Sequence, residues 1–463
     1  MNTISSPSTG ARRDLAALLG RSGTYAISDI LKQAINFLLL PLYTAYMSTA
    51  DYGVLSIALA AGSVLEVLFG LGLRAALARL YFDQKSDLEI RRFLGTLTVF
   101  LVLFSVGLTV LLLLIGPLVW PLFGQDVAFA PYIVLILMVV VVNTLGLAVV
   151  LPLYYVRGQA VRYAMYSLSS FLLATAGTLL FVVGLEQGAA GALWGRLAGG
   201  LIMLGPTVWI VARQVQITLK REILIPALLF SLPLVPHMLF SWVLNFSDRI
   251  ILGKFVSLGD VGIYTVGYQF GLVVGVVITA ISNAWAPWYF RASTEGRREH
   301  IPAFGTYFVM LTAALALVVT VFAREAVAVM TAKSYHDAWT IVPLVTVGYF
   351  VNGLAGRYAD VLMLHKKTAA VGLTTVAAGV ANIGFNLLVI PELGIVGAAY
   401  GTIFGYAVRL VLTVYYAAQT HDLPFEHQRI AAICVVAGVI AVPGAAFTTG
   451  LFALDVVWKA GLY

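Results

Sequence analysis

Charged side chains interrupt the two apolar stretches that open the chain. Asp29 is followed three residues later by Lys32, a spacing that places both on one face of a helix. Glu66 lies at a similar depth in the next apolar stretch. Asp29, Lys32 and Glu66 carry a net charge of −1, so together they could take up a proton or Na⁺. They could equally form a buried network that neutralises itself and fixes helix packing.

A second set of intramembrane candidates is cationic. Arg357 has Asp360 one helical turn away, which favours a structural ion pair, and Arg74 lies at a helix end from which it can reach water. Arg196 and Arg409 have no acidic residue nearby in the sequence. Guanidinium groups bind phosphate oxygens with two hydrogen bonds, so these two favour an anionic substrate. The candidate cations of the substrate path are Arg196, Arg409, Arg74, Arg249 and Arg357.

Uncharged polar residues form a third set within the apolar stretches. Amide and aromatic side chains can contact sugar hydroxyls and rings, but they also form ordinary hydrogen bonds between membrane helices. Both interpretations stay open from the sequence. The candidates for sugar contacts are His237, Asn245, Tyr268, Asn283, Asn382 and Asn386.

Motifs of soluble enzymes are missing from the sequence. It contains no GxxxxGK[ST], HExxH or GxSxG pattern, which argues against ATP hydrolysis and against zinc or serine hydrolase chemistry. Cys434 is the single cysteine, and the six histidines do not cluster. We therefore expect no catalytic residues, no metal site and no cofactor.

The composition is that of a membrane protein. Hydrophobic residues make up 61% of the 463 residues and charged residues only 11%, against about 25% charged in soluble domains. A helix needs roughly 20 apolar residues to cross a bilayer, and the long uncharged runs predict an all-α polytopic membrane protein. The expected spans are 23–47, 53–73, 93–115, 130–152, 164–184, 189–212, 223–247, 262–285, 303–322, 339–362, 369–390, 395–417 and 429–449.

The basic residues predict an orientation. With the N-terminus in the cytoplasm, 19 of the 28 lysines and arginines fall in cytoplasmic segments. Four fall in outer loops: Arg249, Lys254, Arg324 and Lys333. This asymmetry follows the positive-inside rule and makes a nucleic-acid partner a poor explanation of the net charge of +7.

Two pairs of similar sequence segments indicate a duplicated unit. Met47–Gly53 (MSTADYG) matches Val256–Gly262 (VSLGDVG), 209 residues later, and Glu186–Gly195 matches Glu392–Gly401 at an offset of 206. Six spans in each copy predict parallel repeats, with a substrate path between two lobes. The expected organisation is a cytoplasmic tail (1–22), an N-lobe (23–215), a C-lobe (216–420) and one or two extra C-terminal helices (421–463).

The stretch that begins at Asp248, DRIILGKFVSLGDVGIYTVGYQF, resembles the segment between the seventh and eighth spans of polysaccharide transporters. STADYG at 48–53 and ELGIVGAAYGT at 392–402 are similar to their counterparts in that family, the Wzx-type oligosaccharide flippases of the multidrug/oligosaccharidyl-lipid/polysaccharide (MOP) exporter superfamily. The resemblance implies a MATE-like fold of 12 core helices. It also implies a multi-pass protein of the bacterial inner membrane that moves undecaprenyl-pyrophosphate-linked oligosaccharides outward by alternating access.

Two rival functions remain from the sequence. A MATE-type drug exporter would need an acidic central cavity for organic cations, and a glycan polymerase or ligase would be expected to carry a sizeable outer loop, which the span layout lacks. The expected partners of a flippase are the lipid-linked glycan, membrane lipids, H⁺ or Na⁺ as coupling ion, and polysaccharide polymerase or co-polymerase proteins.

Overall fold

A computed structural model describes residues 9–122, 126–420 and 423–446 of the chain, and in these ranges the regular structure is helical. The first helices are α1 (Thr9–Leu38), α2 (Leu40–Tyr46), α3 (Thr49–Gly70), α4 (Leu73–Leu80), α5 (Asp87–Val119), α6 (Val134–Leu145), α7 (Leu151–Val156), α8 (Ala160–Leu179) and α9 (Gly188–Gln214). The later helices are α10 (Arg221–Ser231), α11 (Val235–Phe255), α12 (Leu258–Thr294), α13 (Ile301–Val321), α14 (Ala323–Met330), α15 (Val342–Leu364), α16 (Thr368–Ala418) and α17 (His427–Ala446).

The predicted all-α membrane architecture is confirmed. Nine helical stretches of the described residues are long and apolar enough to cross a membrane, and a tenth arises if the bent pair Lys333–Thr340 and Val342–Leu364 is one span. Helix α16 contains two expected spans, because its 51 residues break at Gly394, which has a φ of 55°. Residues 447–463, where a further C-terminal span could lie, are outside the described ranges.

The expected end of the seventh span at residue 247 is wrong. Helix α11 continues to Phe255 and α12 begins at Leu258, so the predicted outer loop shrinks to two residues. The polar residues Asp248 and Arg249, which suggested a loop, are buried within α11. The same span is interrupted earlier, at Leu232–Leu234, where a 3₁₀ turn contains Pro233. Proline lacks the N–H that an α-helix needs at that point.

The chain forms two compact units. The first contains α1, Leu65–Gly116 and Ile133–Val235, and its core packs side chains such as Leu77, Phe93 and Met203. The second contains Leu40–Val64, Pro117–Tyr132 and the described chain from Pro236 onward. Two core clusters of its described residues lie around Trp285, Tyr289 and Tyr358, and around Val274 and Phe308.

The first repeated segment, Met47–Gly53 and Val256–Gly262, forms the start of a helix in both copies. Before α3, the Ser48 hydroxyl accepts a hydrogen bond from the Asp51 backbone N–H at 3.1 Å and donates to its carboxylate at 2.6 Å. Before α12, Ser257 makes the same two bonds with Asp260, at 3.2 Å and 2.7 Å. Each serine therefore satisfies an N–H that would otherwise be unpaired at a helix N-terminus. The duplicated residues fold into the same capping structure.

The second repeated segment, Glu186–Gly195 and Glu392–Gly401, lies at a close helix contact in both copies. A Cβ on Gly195 of α9 would lie 2.2 Å from the backbone carbon of Gly177 in α8. A Cβ on Gly401, its repeat equivalent in α16, would lie 1.8 Å from the side-chain oxygen of Asn386. Small residues allow membrane helices to approach this closely, so both copies of the motif serve helix packing.

Candidate functional site

The first unit brings an acidic and a basic side chain together at membrane depth. Glu66 on α3 has Arg196 on α9 as its charged neighbour, although 130 positions separate them in the sequence. Glu66 keeps exposed surface although protein atoms surround most of its carboxyl group, and Arg196 is half-buried. A carboxylate that faces hydrocarbon is costly, so an exposed Glu66 with a guanidinium nearby fits the wall of a water-filled cavity. Arg196 has no acidic residue near it in the sequence, but the fold places the acidic residue Glu66 near it in space.

Asp29 and Lys32 form a separate contact in the same unit. The Lys32 ammonium lies 2.7 Å from the Asp29 carboxylate and donates to the Ser167 hydroxyl of α8 at 2.8 Å. The Asp29 side chain is 52% exposed and that of Lys32 26%. The expected helical face is therefore formed, and it links α1 to α8. A carboxylate that is half exposed and already paired can bind a cation only if Lys32 moves or is neutralised.

The second unit groups polar residues around Arg409. The Arg409 guanidinium on α16 donates to the Asn352 side chain of α15, and its charge acts on His237 of α11. One turn before Arg409, the Tyr406 hydroxyl donates to Asn245 at 3.0 Å. His237 is exposed and Arg409 is half-buried. This arrangement presents one cation and one imidazole from neighbouring helices.

Arg249 lies in the core of the second unit. Its side chain is 6% exposed, and its guanidinium contacts the Asp248 carboxylate at 2.7 Å. It also lies 4.0 Å from the ring centroid of Tyr268, a cation–π distance. Tyr264 donates a hydrogen bond to Asp248, and Tyr349 donates to Tyr268 at 3.0 Å. These contacts neutralise and desolvate Arg249, which leaves it no surface to offer a substrate.

Arg357 is buried in the same way. It lies 3.4 Å from Asp360, donates to the Ser282 hydroxyl at 2.7 Å and packs 4.5 Å from the ring centroid of Phe308. Its side chain is 5% exposed. The spacing of three residues therefore produces the structural ion pair that the sequence favours.

The remaining candidates fall into two groups. Asn382 and Asn386 are buried, where Asn382 donates to the Gly401 carbonyl at 2.8 Å and accepts from Asn386 at 3.2 Å. These amides join the two halves of α16 and are not accessible to a sugar. Arg74 and Asn283 are exposed. Sequence reasoning missed Asn352, the hydrogen-bond partner of Arg409, although an amide in the middle of an apolar span is itself a signal.

The curated relatives that match the chain are distant. It is 23% identical over 211 residues to the probable low-salt glycan biosynthesis flippase Agl15 of Haloferax volcanii, covering 43% of this chain and 42% of that protein. It is 24% identical over 198 residues to the uncharacterised membrane protein MJ1068 of Methanocaldococcus jannaschii, covering 41% of this chain and 37% of that protein. The chain thus matches less than half the length of either relative.

The fold is shared over nearly the whole chain with solved transporters. The lipid II flippase MurJ, in an inward closed conformation, superposes with a TM-score of 0.74 at 14% identity, covering 95% of this chain and 96% of MurJ. An inward-facing multidrug resistance MATE transporter of the MOP superfamily superposes with a TM-score of 0.66 at 15% identity, covering 87% and 96%. The expected MATE-like fold is confirmed.

A sequence model of one family covers the first part of the chain. The polysaccharide biosynthesis protein model matches residues 19–293, which include Glu66, Arg196 and the Asp248–Arg249 pair. This range is more than half of the 463 residues. The chain therefore belongs to the polysaccharide biosynthesis protein family.

Proposed function

We propose that the protein is a flippase that moves undecaprenyl-pyrophosphate-linked oligosaccharides across the bacterial inner membrane. Two observations together support this proposal most strongly. The chain matches the polysaccharide biosynthesis family, and it is built of membrane helices with short connections, such as 215–220 between α9 and α10. A protein of this kind can serve glycan assembly by carrying a substrate through the membrane. The N-terminus lies in the cytoplasm, as the distribution of basic residues predicts.

The transport path uses the polar groups of both sequence repeats. A lipid diphosphate carries negative charge through a region where charge is costly, so it needs cations along the way. Arg196 supplies one from the N-lobe (23–215), and Arg409 with His237 supplies another from the C-lobe (216–420). Arg249 and Arg357 are buried and paired, so we leave them out of this path. The two lobes alternate their access to the two membrane faces.

Complementation of a flippase-deficient strain tests the path. Arg196→Gln and Arg409→Gln should each reduce export of the polysaccharide by roughly tenfold or more, the cost of losing one charge-assisted phosphate contact. Arg79→Gln is the matched control, because Arg79 is 59% exposed and, within the described residues, forms its ion pair with its helical neighbour Asp83. Export that survives both path substitutions, with the proteins still in the membrane, would refute the role of these cations.

A drug exporter is the second candidate, because the fold is also that of MATE transporters. The exposed Glu66 favours it, since a carboxylate at membrane depth suits an organic cation. Drug efflux from cells and accumulation of a lipid-linked glycan in a deletion strain separate the two functions. A deletion that raises drug sensitivity and leaves the glycan lipids unchanged would replace the flippase proposal.

Two further parts of the proposal concern energy and partners. Glu66, together with Asp29 and Lys32, couples transport to H⁺ or Na⁺. A polysaccharide polymerase or co-polymerase takes up the product at the outer face. A glycan polymerase activity of the chain itself is excluded if unpolymerised units do not accumulate outside the membrane of the deletion strain.

A further inference from the structure

A cavity of about 320 Å³ lies among helices α7, α8 and α9 in the first unit. Arg157 follows the last residue of α7, Arg162 lies in the first turn of α8, and Arg213 lies in the last turn of α9. The cavity is therefore at one end of these membrane helices. No acidic residue is among its lining residues, which lie within the described range. It concentrates three positive charges without a carboxylate to neutralise them.

The three arginines are held in place by contacts that use only some of their guanidinium N–H groups. Arg157 donates to the Gln214 side chain at 2.8 Å and to the Tyr81 hydroxyl at 3.1 Å, which occupies two of its five N–H groups. Arg213 lies over the Trp209 ring, 4.1 Å from its centroid. Arg162 donates to the Gln159 side chain at 3.2 Å. A guanidinium fixed on a ring or an amide loses little further freedom when it binds a phosphate.

One side of the cavity is apolar and lies at the membrane boundary. Leu153 and Ile210 contribute aliphatic surface, and Trp209 is 57% exposed. Tryptophan is enriched where the hydrocarbon meets the headgroups. Basic pockets between membrane helices at this depth bind the headgroups of anionic lipids. A soluble phosphate would use the arginines but gain nothing from the apolar side of the cavity.

We propose that this cavity binds the phosphate-bearing headgroup of an anionic phospholipid. The guanidiniums of Arg162 and Arg213 hold the phosphate, Arg157 holds the cavity open through Tyr81 and Gln214, and the first acyl carbons lie along Leu153 and Ile210. In the orientation proposed above, this lipid belongs to the cytoplasmic leaflet. The site is separate from Glu66 and Arg196, so it concerns the membrane around the transporter and not the transported glycan.

Native mass spectrometry of the purified full chain with phosphatidylglycerol tests the site. Arg162→Gln combined with Arg213→Gln should weaken binding of this lipid at least tenfold, since each guanidinium that binds directly accounts for about that factor. Arg157 is kept in this variant because its hydrogen bonds support the fold. The matched control combines Lys220→Gln with Arg221→Gln: it removes the same two charges at the start of α10, outside the cavity, and should change binding by less than about twofold.

Three outcomes would overturn the proposal. Equal losses in the cavity double variant and in the Lys220→Gln, Arg221→Gln control would show general charge attraction. Equal retention of phosphatidylcholine, which has the same phosphate but no net charge, would show that an anionic headgroup is not selected. Equally strong binding of water-soluble glycerol phosphate would show a soluble ligand. If the double variant does not fold, Arg213→Lys provides the test, because it keeps the charge and loses the planar fork, and unchanged binding would then refute a guanidinium-specific site.

Discussion

Gly53 of α3 and Gly262 of α12 contact each other backbone to backbone, and they are equivalent positions of the sequence repeat. A Cβ on Gly53 would lie 1.9 Å from the Leu258 carbonyl oxygen, and a Cβ on Gly262 would lie 2.0 Å from that of Thr49. Thr49 and Leu258 are themselves 209 positions apart, as are the two glycines. The contact is therefore reciprocal, as expected where two copies of one segment meet around a pseudo-twofold axis.

Replacing Gly53 by alanine should force α3 and α12 apart. Overpacking of this kind costs about 1–3 kcal/mol, so Gly53→Ala should lower the thermal unfolding temperature in detergent and reduce transport. Gly70→Ala is the matched control in the same helix, because a Cβ there meets no described atom within 4 Å. Equal unfolding temperatures for the two variants would contradict the close crossing.

The membrane helices could be predicted from the sequence because each needs about 20 apolar residues, whatever its neighbours are. The repeat could also be predicted from the sequence, because both copies retain the serine, Ser48 or Ser257, that caps the following helix. The end of α11 was mispredicted for a physical reason: Asp248 and Arg249 look like loop residues until their partners are known. Each neutralises the other, and Tyr264 and Tyr268 complete the contacts.

Pairings between distant helices could not be predicted. Helical periodicity says which residues share a face, but it does not say which helix that face meets. The sequence predicts separate roles for Glu66 and Arg196, because 130 positions separate them and only the packing of α3 near α9 brings their charges together. The arginine cavity could not be predicted for the same reason, because Arg157, Arg162 and Arg213 lie in separate segments, where basic residues indicate only the orientation in the membrane.

The buried Asp248–Arg249 pair should be essential to the second unit. Asp248→Ala leaves a buried guanidinium without its counter-ion, which costs about 3–5 kcal/mol. Replacing both residues, as Asp248→Leu with Arg249→Met, should cost clearly less, because no charge is then left buried. Chemical denaturation in detergent measures both, with Arg79→Ala at the exposed Arg79–Asp83 pair as a control expected to change stability by about 0–1 kcal/mol. A double variant that is less stable than Asp248→Ala would refute this account.

Glu66 should control ion coupling if it lines a water-filled cavity beside Arg196. Neutralising it in Glu66→Gln removes the exchangeable charge, so transport into vesicles should lose its dependence on a proton or Na⁺ gradient. The matched control is Glu295→Gln, which removes an exposed carboxylate after α12. Gradient dependence that is unchanged in Glu66→Gln would remove this residue from the coupling proposal.

Glu426 should make the attachment of α17 sensitive to acid. The Thr306 hydroxyl of α13 donates to its carboxylate at 2.6 Å, and Arg429 contacts the other oxygen at 2.6 Å. The Thr306 hydrogen bond first, and then Arg429, lower the pKa of Glu426 from its ordinary value of 4.5. A carboxylate with a lowered pKa stabilises the folded state above pH 4.5, and that contribution disappears as the pH falls through the lowered pKa.

Thr306→Val tests this dependence because it removes the main cause of the shift. The variant should unfold at a lower temperature than the parent protein at pH 7, and the difference should shrink as the pH falls below 4.5, where Glu426 becomes protonated in both. Thr294→Val serves as the control, since the Thr294 hydroxyl bonds carbonyls of its own helix, such as that of Phe290 at 3.0 Å. A difference that stays constant down to pH 4 would mean that Thr306 acts through packing alone. A difference that shrinks would show that a charge-assisted bond holds α17 against α13, where Ile430 and Ile433 pack with Phe308.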